Sequence, residues 1–109
     1  MKKRERTLLY AKFQRKIKER DPICFYYKIP DTIGLGGKRP FDSILIVCGV
    51  PFAIEFKSEG DKITRYQEET LKNFDHAGGI PLVFTDGEDM DVFIDNIVRI
   101  VWNKKNERR

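Results

Sequence analysis

The sequence predicts one small α/β domain with the element order αβββαβα, its helices packed on both faces of a mixed four-stranded sheet. Three observations carry this. A chain of 109 residues fits one domain and leaves no room for a second. Apolar residues recur at steps of three to four in three separate segments, the pattern of helices with one buried stripe. Between those segments lie short β-branched and aromatic runs bounded by Gly, Pro and Asp, the pattern of strands.

Residues 4–20 carry Leu8, Leu9, Phe13 and Ile17 among Lys, Arg, Glu and Gln, which makes an amphipathic helix. Asp21-Pro22 stops it, because the residue before a proline disfavours the α region. ICFYYKI, Ile23 to Ile29, is the first strand, and the Gly- and Pro-dense PDTIGLGGKRP after it is a loop. FDSILIVCGVPFAIEFKS, Phe41 to Ser58, reads as two apolar runs joined at Cys48-Gly49-Val50, so strands two and three form a hairpin. SEGDK breaks it. Thr64 to His76 is a helix with Tyr66, Leu71 and Phe74 on one side, ended by Ala77-Gly78-Gly79, where glycine suits the first position past the helix. Ile80 to Thr85 is the fourth strand and DGED a turn. Met90, Phe93, Ile94, Ile97, Val98 and Val101 outline the last helix, and KKNERR, residues 104–109, is expected as a disordered charged tail.

Composition narrows the class. No apolar run approaches the ~20 residues needed to cross a bilayer. The basic start MKKRERTLLY runs on into charged residues with no apolar core segment, so it does not read as a signal peptide. Cys24 and Cys48 sit inside apolar runs without a CxxC partner, as buried free thiols of a reducing cytosol would. The net charge is only +4, but basic residues gather at both ends of the chain (MKKRER, KFQRKIKER, NKKNERR). Such a distribution favours phosphate-bearing partners, although a charged face is more often just a solvated one.

The hairpin raises the sharper question. It is apolar on both faces, yet it holds Asp42, Glu55 and Lys57, and charges there are costly unless paired, hydrated or bound to a metal. Side chains on one face of a strand recur every second residue. A turn centred on Cys48-Gly49 sets Asp42 opposite Glu55, whereas one centred on Gly49-Val50 sets it opposite Lys57. In either register the three groups share a face, and a loop one residue longer or shorter would separate them. Two carboxylates offer hard oxygen ligands to Mg²⁺ or Mn²⁺, such an ion polarises a phosphoryl group and acidifies a bound water, and a lysine beside it can orient that water. The plain alternative is a solvated ion pair on an edge strand.

Asp42 followed by Glu55-Phe56-Lys57 resembles the acidic-plus-ExK signature of the PD-(D/E)XK nuclease superfamily. The proline that usually adjoins the first acid is displaced here, in Arg39-Pro40-Phe41-Asp42. The Gly-rich GLGGKRPFD, then EFKSEGDKITRYQEETL and AGGIPLVFTDGEDMDVFI, make nearly the whole chain similar to the VRR-NUC branch, the virus-type replication-repair nucleases, and to small Holliday junction resolvases. The resemblance implies a restriction-endonuclease-like core over residues 1–109. It implies Asp42, Glu55 and the Phe56 carbonyl as metal ligands, Lys57 as catalytic lysine, and Gln67 on the following helix near the metal-bound water or scissile phosphate. For Gln67 a capped surface amide is the equal alternative. It also implies a glutamate on the first helix, for which Glu5 fits better than Glu19.

Lys38 and Arg39 on the Gly-rich loop, with Lys62 and Arg65 around the start of the second helix, are candidate contacts to the DNA backbone. Tyr26, Tyr27 and Lys28 could line the same groove or belong to the core. His76, the single histidine, is expected at the surface, and Ser58 as a strand end. The expected function is a Mg²⁺- or Mn²⁺-dependent endonuclease for branched or flapped DNA, in phage-type replication, recombination or repair, in the cytosol of a bacterium or phage host. Junction resolution would require a homodimer. The alternative is a catalytically silent nucleic-acid-binding module on the same fold.

Overall fold

The computed structural model describes residues 3–30 and 39–107. In chain order the elements are α1 (Lys3–Arg20), β1 (Cys24–Lys28), β2 (Ser43–Val47), β3 (Val50–Lys57), α2 (Arg65–His76), β4 (Ile80–Thr85) and α3 (Met90–Glu107). The expected order αβββαβα is therefore the observed one. The strands form one sheet in the order β1-β2-β3-β4, with β1, β2 and β3 antiparallel and β4 parallel to β3. A parallel neighbour needs a crossover, and α2 supplies it.

The hairpin turn fixes the register. Val47 pairs with Val50, leaving Cys48 and Gly49 as a two-residue turn with φ of 50° and 83°. Both central residues are left-handed, as the twist-compatible type I′ turn demands. Gly49 adopts this freely, whereas Cys48 does so against its Cβ.

Alternation along β2 and β3 then sorts the side chains. Leu45, Val47, Phe52, Ile54 and Phe56 point to one face, where they pack with Phe84 against Phe13 and Ile17 of α1 and Phe93, Ile94 and Ile97 of α3. Phe56 is the hub of an aromatic cluster there, its ring 5.1 Å from Tyr10, 5.6 Å from Phe13 and 5.8 Å from Phe84. Removing one such ring would cost about 3–5 kcal/mol. On the other face a smaller core joins Phe41, Ala53 and Leu71 with Ile44, Phe74 and Val83. α2 covers only the β3–β4 half of that face, so Phe25, Tyr27 and Ile46 on the β1–β2 half remain exposed.

Helix α2 is closed at both ends by its own sequence. Thr64 caps the start, with its hydroxyl accepting from the Gln67 N–H while the Gln67 side chain accepts from the Thr64 N–H. At the other end Gly78, at φ 100°, lets its N–H reach the Asp75 carbonyl and the Gly79 N–H reach the Phe74 carbonyl. That is a Schellman ending.

Several expectations change. The buried stripe of α1 is Tyr10, Phe13 and Ile17, and Leu8 is exposed. Tyr66, expected beside Leu71 and Phe74, is exposed as well. Residues 104–107 continue α3 rather than forming a charged tail, and Lys104 and Lys105 suit the negative end of the helix dipole. Cys24 and Cys48 are free thiols, as expected, but only half-buried.

Candidate active site

The site grows from the point where β2 has not yet begun. Extending the pairing of Ser43 with Ile54 sets Asp42 opposite Glu55, the first of the two registers the sequence allowed. The approach to Asp42 is pinned from both sides. The Thr70 hydroxyl of α2 donates to the Pro40 carbonyl at 2.5 Å, the Phe41 ring meets Phe74 edge-on at 5.5 Å, and the Ile29 N–H donates to the Asp42 carbonyl at 2.9 Å. In a longer β2 the Phe56 N–H would pair with backbone at position 41. Here it donates to Asp42 Oδ2 at 2.7 Å, and the Phe56 carbonyl projects to the same side of the strand. The other carboxylate oxygen, Oδ1, accepts from Arg39 Nη2 at 2.9 Å.

Glu55 and Lys57 follow on the same face of β3 because they are two residues apart, while Phe56 between them is locked into the aromatic cluster on the opposite face. Glu55 Oε1 accepts from Gln67 Nε2 at 3.0 Å and lies 3.6 Å from Lys57 Nζ. Glu55 Oε2 is buried with no hydrogen-bond partner among the described residues. Asp42 is 1% exposed and Glu55 2%. Burial, and next the charge of Asp42, push the Glu55 carboxyl up to about 7, with Lys57 and Arg39 opposing. Two carboxylates are thus crowded into one dry spot.

A divalent cation relieves such crowding, and the donors suit it. Asp42, Glu55 with its unpartnered oxygen, and the Phe56 carbonyl are hard oxygen ligands of the kind Mg²⁺ or Mn²⁺ takes together with several waters. No cluster of three or more His, Cys, Asp or Glu side chains comes together among the described residues.

No protein-family model matches the sequence, and none of the curated proteins does. A solved structure described as a VRR_NUC domain superposes with a TM-score of 0.55 at 22% identity, over 79% of this chain and 94% of that one. The chain has the VRR_NUC fold.

On that fold the hairpin and α2 bring Asp42, Glu55, Lys57 and Gln67 together, as the sequence led one to expect. The Gln67 amide completes the α2 cap with its oxygen and holds Glu55 with its nitrogen. Glu5 is different. It is exposed on the first turn of α1, and the α1 side chain set against Asp42 is buried Tyr10, with half-buried Arg6 one turn before it. The structure therefore does not support Glu5 as the helix-borne site residue, and Glu19, also exposed, lies in the last turn of α1. Burial and nearby Asp42 push the Tyr10 phenol up, so it stays neutral.

Of the expected DNA contacts, Lys38 lies outside the described residues. Lys62 and Arg65 are exposed where the chain enters α2, within the same turn and a half as Gln67. Arg39 is folded inward onto Asp42 and also donates to the Ile29 carbonyl at 3.2 Å. Tyr26 packs against Phe13 at 5.3 Å and Lys28 Nζ sits 4.5 Å over the Tyr10 ring, so both serve the α1 side, and only Tyr27 faces the open side. His76 is exposed and Ser58 follows the strand end, both as expected. The Arg39–Asp42 pair and the Thr70 anchor were not read from the sequence. Their only signal is the spacing of Arg39 to Asp42, which in an irregular segment predicts no contact.

Proposed function

We propose that this chain is a divalent-metal-dependent, structure-specific DNA endonuclease that cuts branched DNA, a Holliday junction or a flap, during phage-type replication, recombination or repair. One observation carries the reading. Two buried carboxylates face each other beside a lysine, one of them keeps an oxygen without a hydrogen-bond partner among the described residues, and the fold is that of a VRR_NUC domain.

Asp42, Glu55 and the Phe56 carbonyl would hold Mg²⁺ or Mn²⁺, which supplies a Lewis acid for the phosphoryl oxygen and an acidified water. The chain's own groups do the rest. Lys57, on the same strand face and partly exposed, orients the attacking water and offsets charge gathering on the phosphate. Gln67 keeps Glu55 aimed, because its amide is itself fixed by the cap of α2. Lys62 and Arg65 contribute phosphate contacts at the rim, which fix position without reading bases. Such contacts favour recognition of DNA shape over base sequence.

Resolving a four-way junction takes two symmetric cuts and hence a two-fold dimer. The uncovered half of the sheet suits a second copy of this chain, because Ile23, Phe25, Tyr27 and Ile46 form an apolar strip continuous with the catalytic face. No helix among the described residues is long and apolar enough to cross a membrane, and a bacterial or phage-host cytosol is the setting proposed.

The test compares wild type with Lys57→Ala on labelled junction, flap, single-stranded and duplex DNA, with Mg²⁺, Mn²⁺ or EDTA. Metal-dependent cutting that EDTA and the substitution abolish supports the nuclease. Binding without cutting under both metals refutes it in favour of a silent binding module. Light scattering of wild type and Phe25→Glu tests the dimer, which the substitution should convert to monomer.

A further inference from the structure

Asp42 is doubly engaged. One oxygen takes the Phe56 N–H at 2.7 Å and the other takes the Arg39 guanidinium at 2.9 Å. The Phe56 hydrogen bond belongs to the frame of the strand and leaves room for further coordination at that carboxylate. The guanidinium does not, because it brings a permanent positive charge to within hydrogen-bond distance of the carboxylate that would hold a metal. Two cations around one buried carboxylate repel each other strongly where water cannot screen them. Arg39 and a divalent ion thus compete for Asp42.

Arg39 is also placed to leave. Its side chain keeps 12% exposure, while Asp42 is sealed. A second acceptor is a main-chain carbonyl, Ile29, whose hydrogen bond water can replace, and the neutral Tyr10 phenol lies beside the guanidinium. Arginine presents a planar fork that matches a phosphate as well as a carboxylate. A guanidinium released next to the catalytic carboxylates would therefore meet its second partner in the DNA strand lying over them.

We propose that Arg39 is the exchangeable counter-ion of Asp42: it neutralises the buried carboxylate in the metal-free protein, moves off when a divalent metal binds, and then pairs with a phosphate oxygen of the bound strand. This rests on the nuclease reading and adds to it a coupling between metal loading and DNA grip. A purely structural ion pair would instead only brace the Arg39–Asp42 corner.

Manganese titration by calorimetry, without DNA, separates the two, using wild type, Arg39→Ala and Arg39→Lys. Removing the competitor should tighten Mn²⁺ binding on the order of tenfold in Arg39→Ala, the scale of a modest coupling between two ligands of one group. The same variant should bind flap or junction DNA on the order of tenfold more weakly in Ca²⁺, with a salt dependence reduced by about one phosphate contact. Arg39→Lys keeps the charge, so its Mn²⁺ affinity should stay near wild type, while its DNA affinity should fall because an ammonium cannot fork. Should Arg39→Ala not fold, Arg39→Gln carries the comparison, since it retains a donor for the Ile29 carbonyl. Mn²⁺ affinity that is unchanged or weaker in the uncharged variant overturns the exchange. Wild type that binds no Mn²⁺ overturns both this proposal and the nuclease reading. Wild type that binds Mn²⁺ but cuts nothing refutes the nuclease alone, and the titration still decides the exchange.

Discussion

Glu55→Gln should make the metal-free protein more stable at alkaline pH. The carboxyl of Glu55 is pushed from its usual 4.5 to about 7 in the folded protein, chiefly by burial and then by Asp42. Folding therefore tightens its hold on a proton. With an elevated folded pKa, the favourable contribution is complete below pH 4.5 and is lost as pH rises toward 7, after which the ionised group is a constant burden. At about 1.4 kcal/mol per pH unit the burden is about 3 kcal/mol. Gln matches Glu in size and still accepts from Gln67, but it never ionises. In EDTA at pH 8.5, Glu55→Gln should thus melt roughly 10–20 °C above wild type, and the gap should close near pH 4.5. Thermal melts across that pH range provide the assay. A variant no more stable than wild type at pH 8.5, or a gap indifferent to pH, would refute the electrostatic account of the site. Adding Mn²⁺ should stabilise wild type and leave the variant unchanged.

Other substitutions probe neighbouring parts of the same construction. Lys57→Ala should lower the cleavage rate roughly 10²–10⁴-fold while shifting stability by less than about 1 kcal/mol, because the lysine is partly exposed and its pair with Glu55 is long; single-turnover kinetics and melts check the two halves. Gln67→Ala should cost about 1–2 kcal/mol from the α2 cap and also slow cleavage, whereas Thr64→Ala should cost stability with a smaller kinetic effect; urea titrations beside rate measurements separate them. Cys48→Asn should stabilise the hairpin by about 1 kcal/mol, since asparagine tolerates the left-handed conformation that cysteine is forced into; a raised melting temperature would show it.

How far the sequence disclosed all this depended on the range of the interactions. The seven elements were legible because periodicity and turn residues are local signals, and so was the shared face of Asp42, Glu55 and Lys57, which follows from the alternation of strands. The register between Asp42 and Glu55 was not settled, because it hangs on a single residue of turn placement that the structure decides with an unusual left-handed cysteine. The face of α1 was misjudged at Leu8 because Tyr10, apolar in its ring and polar at its tip, took the buried position instead. Glu5 fell beside Arg6 and Tyr10 but on a different side of the helix, a 100° turn that resemblance alone does not resolve. The inward fold of Arg39 depends on a route through an irregular segment, for which no periodicity exists.

Every side chain assigned here to the candidate site lies on one uninterrupted stretch of chain, from Arg39 through the hairpin to Gln67 in the first turn of α2, while α1, β4 and α3 contribute the walls that hold it. The chemistry is therefore portable. Extra segments joined at either terminus would leave the working stretch untouched, whereas the turn after Thr85 is tied to it through Asp86, whose N–H donates to the Lys57 carbonyl and whose carboxylate accepts from the Glu59 N–H. A scaffold of this design can acquire new partners by growth at its margins, and substrate choice can change while the cutting centre stays the same.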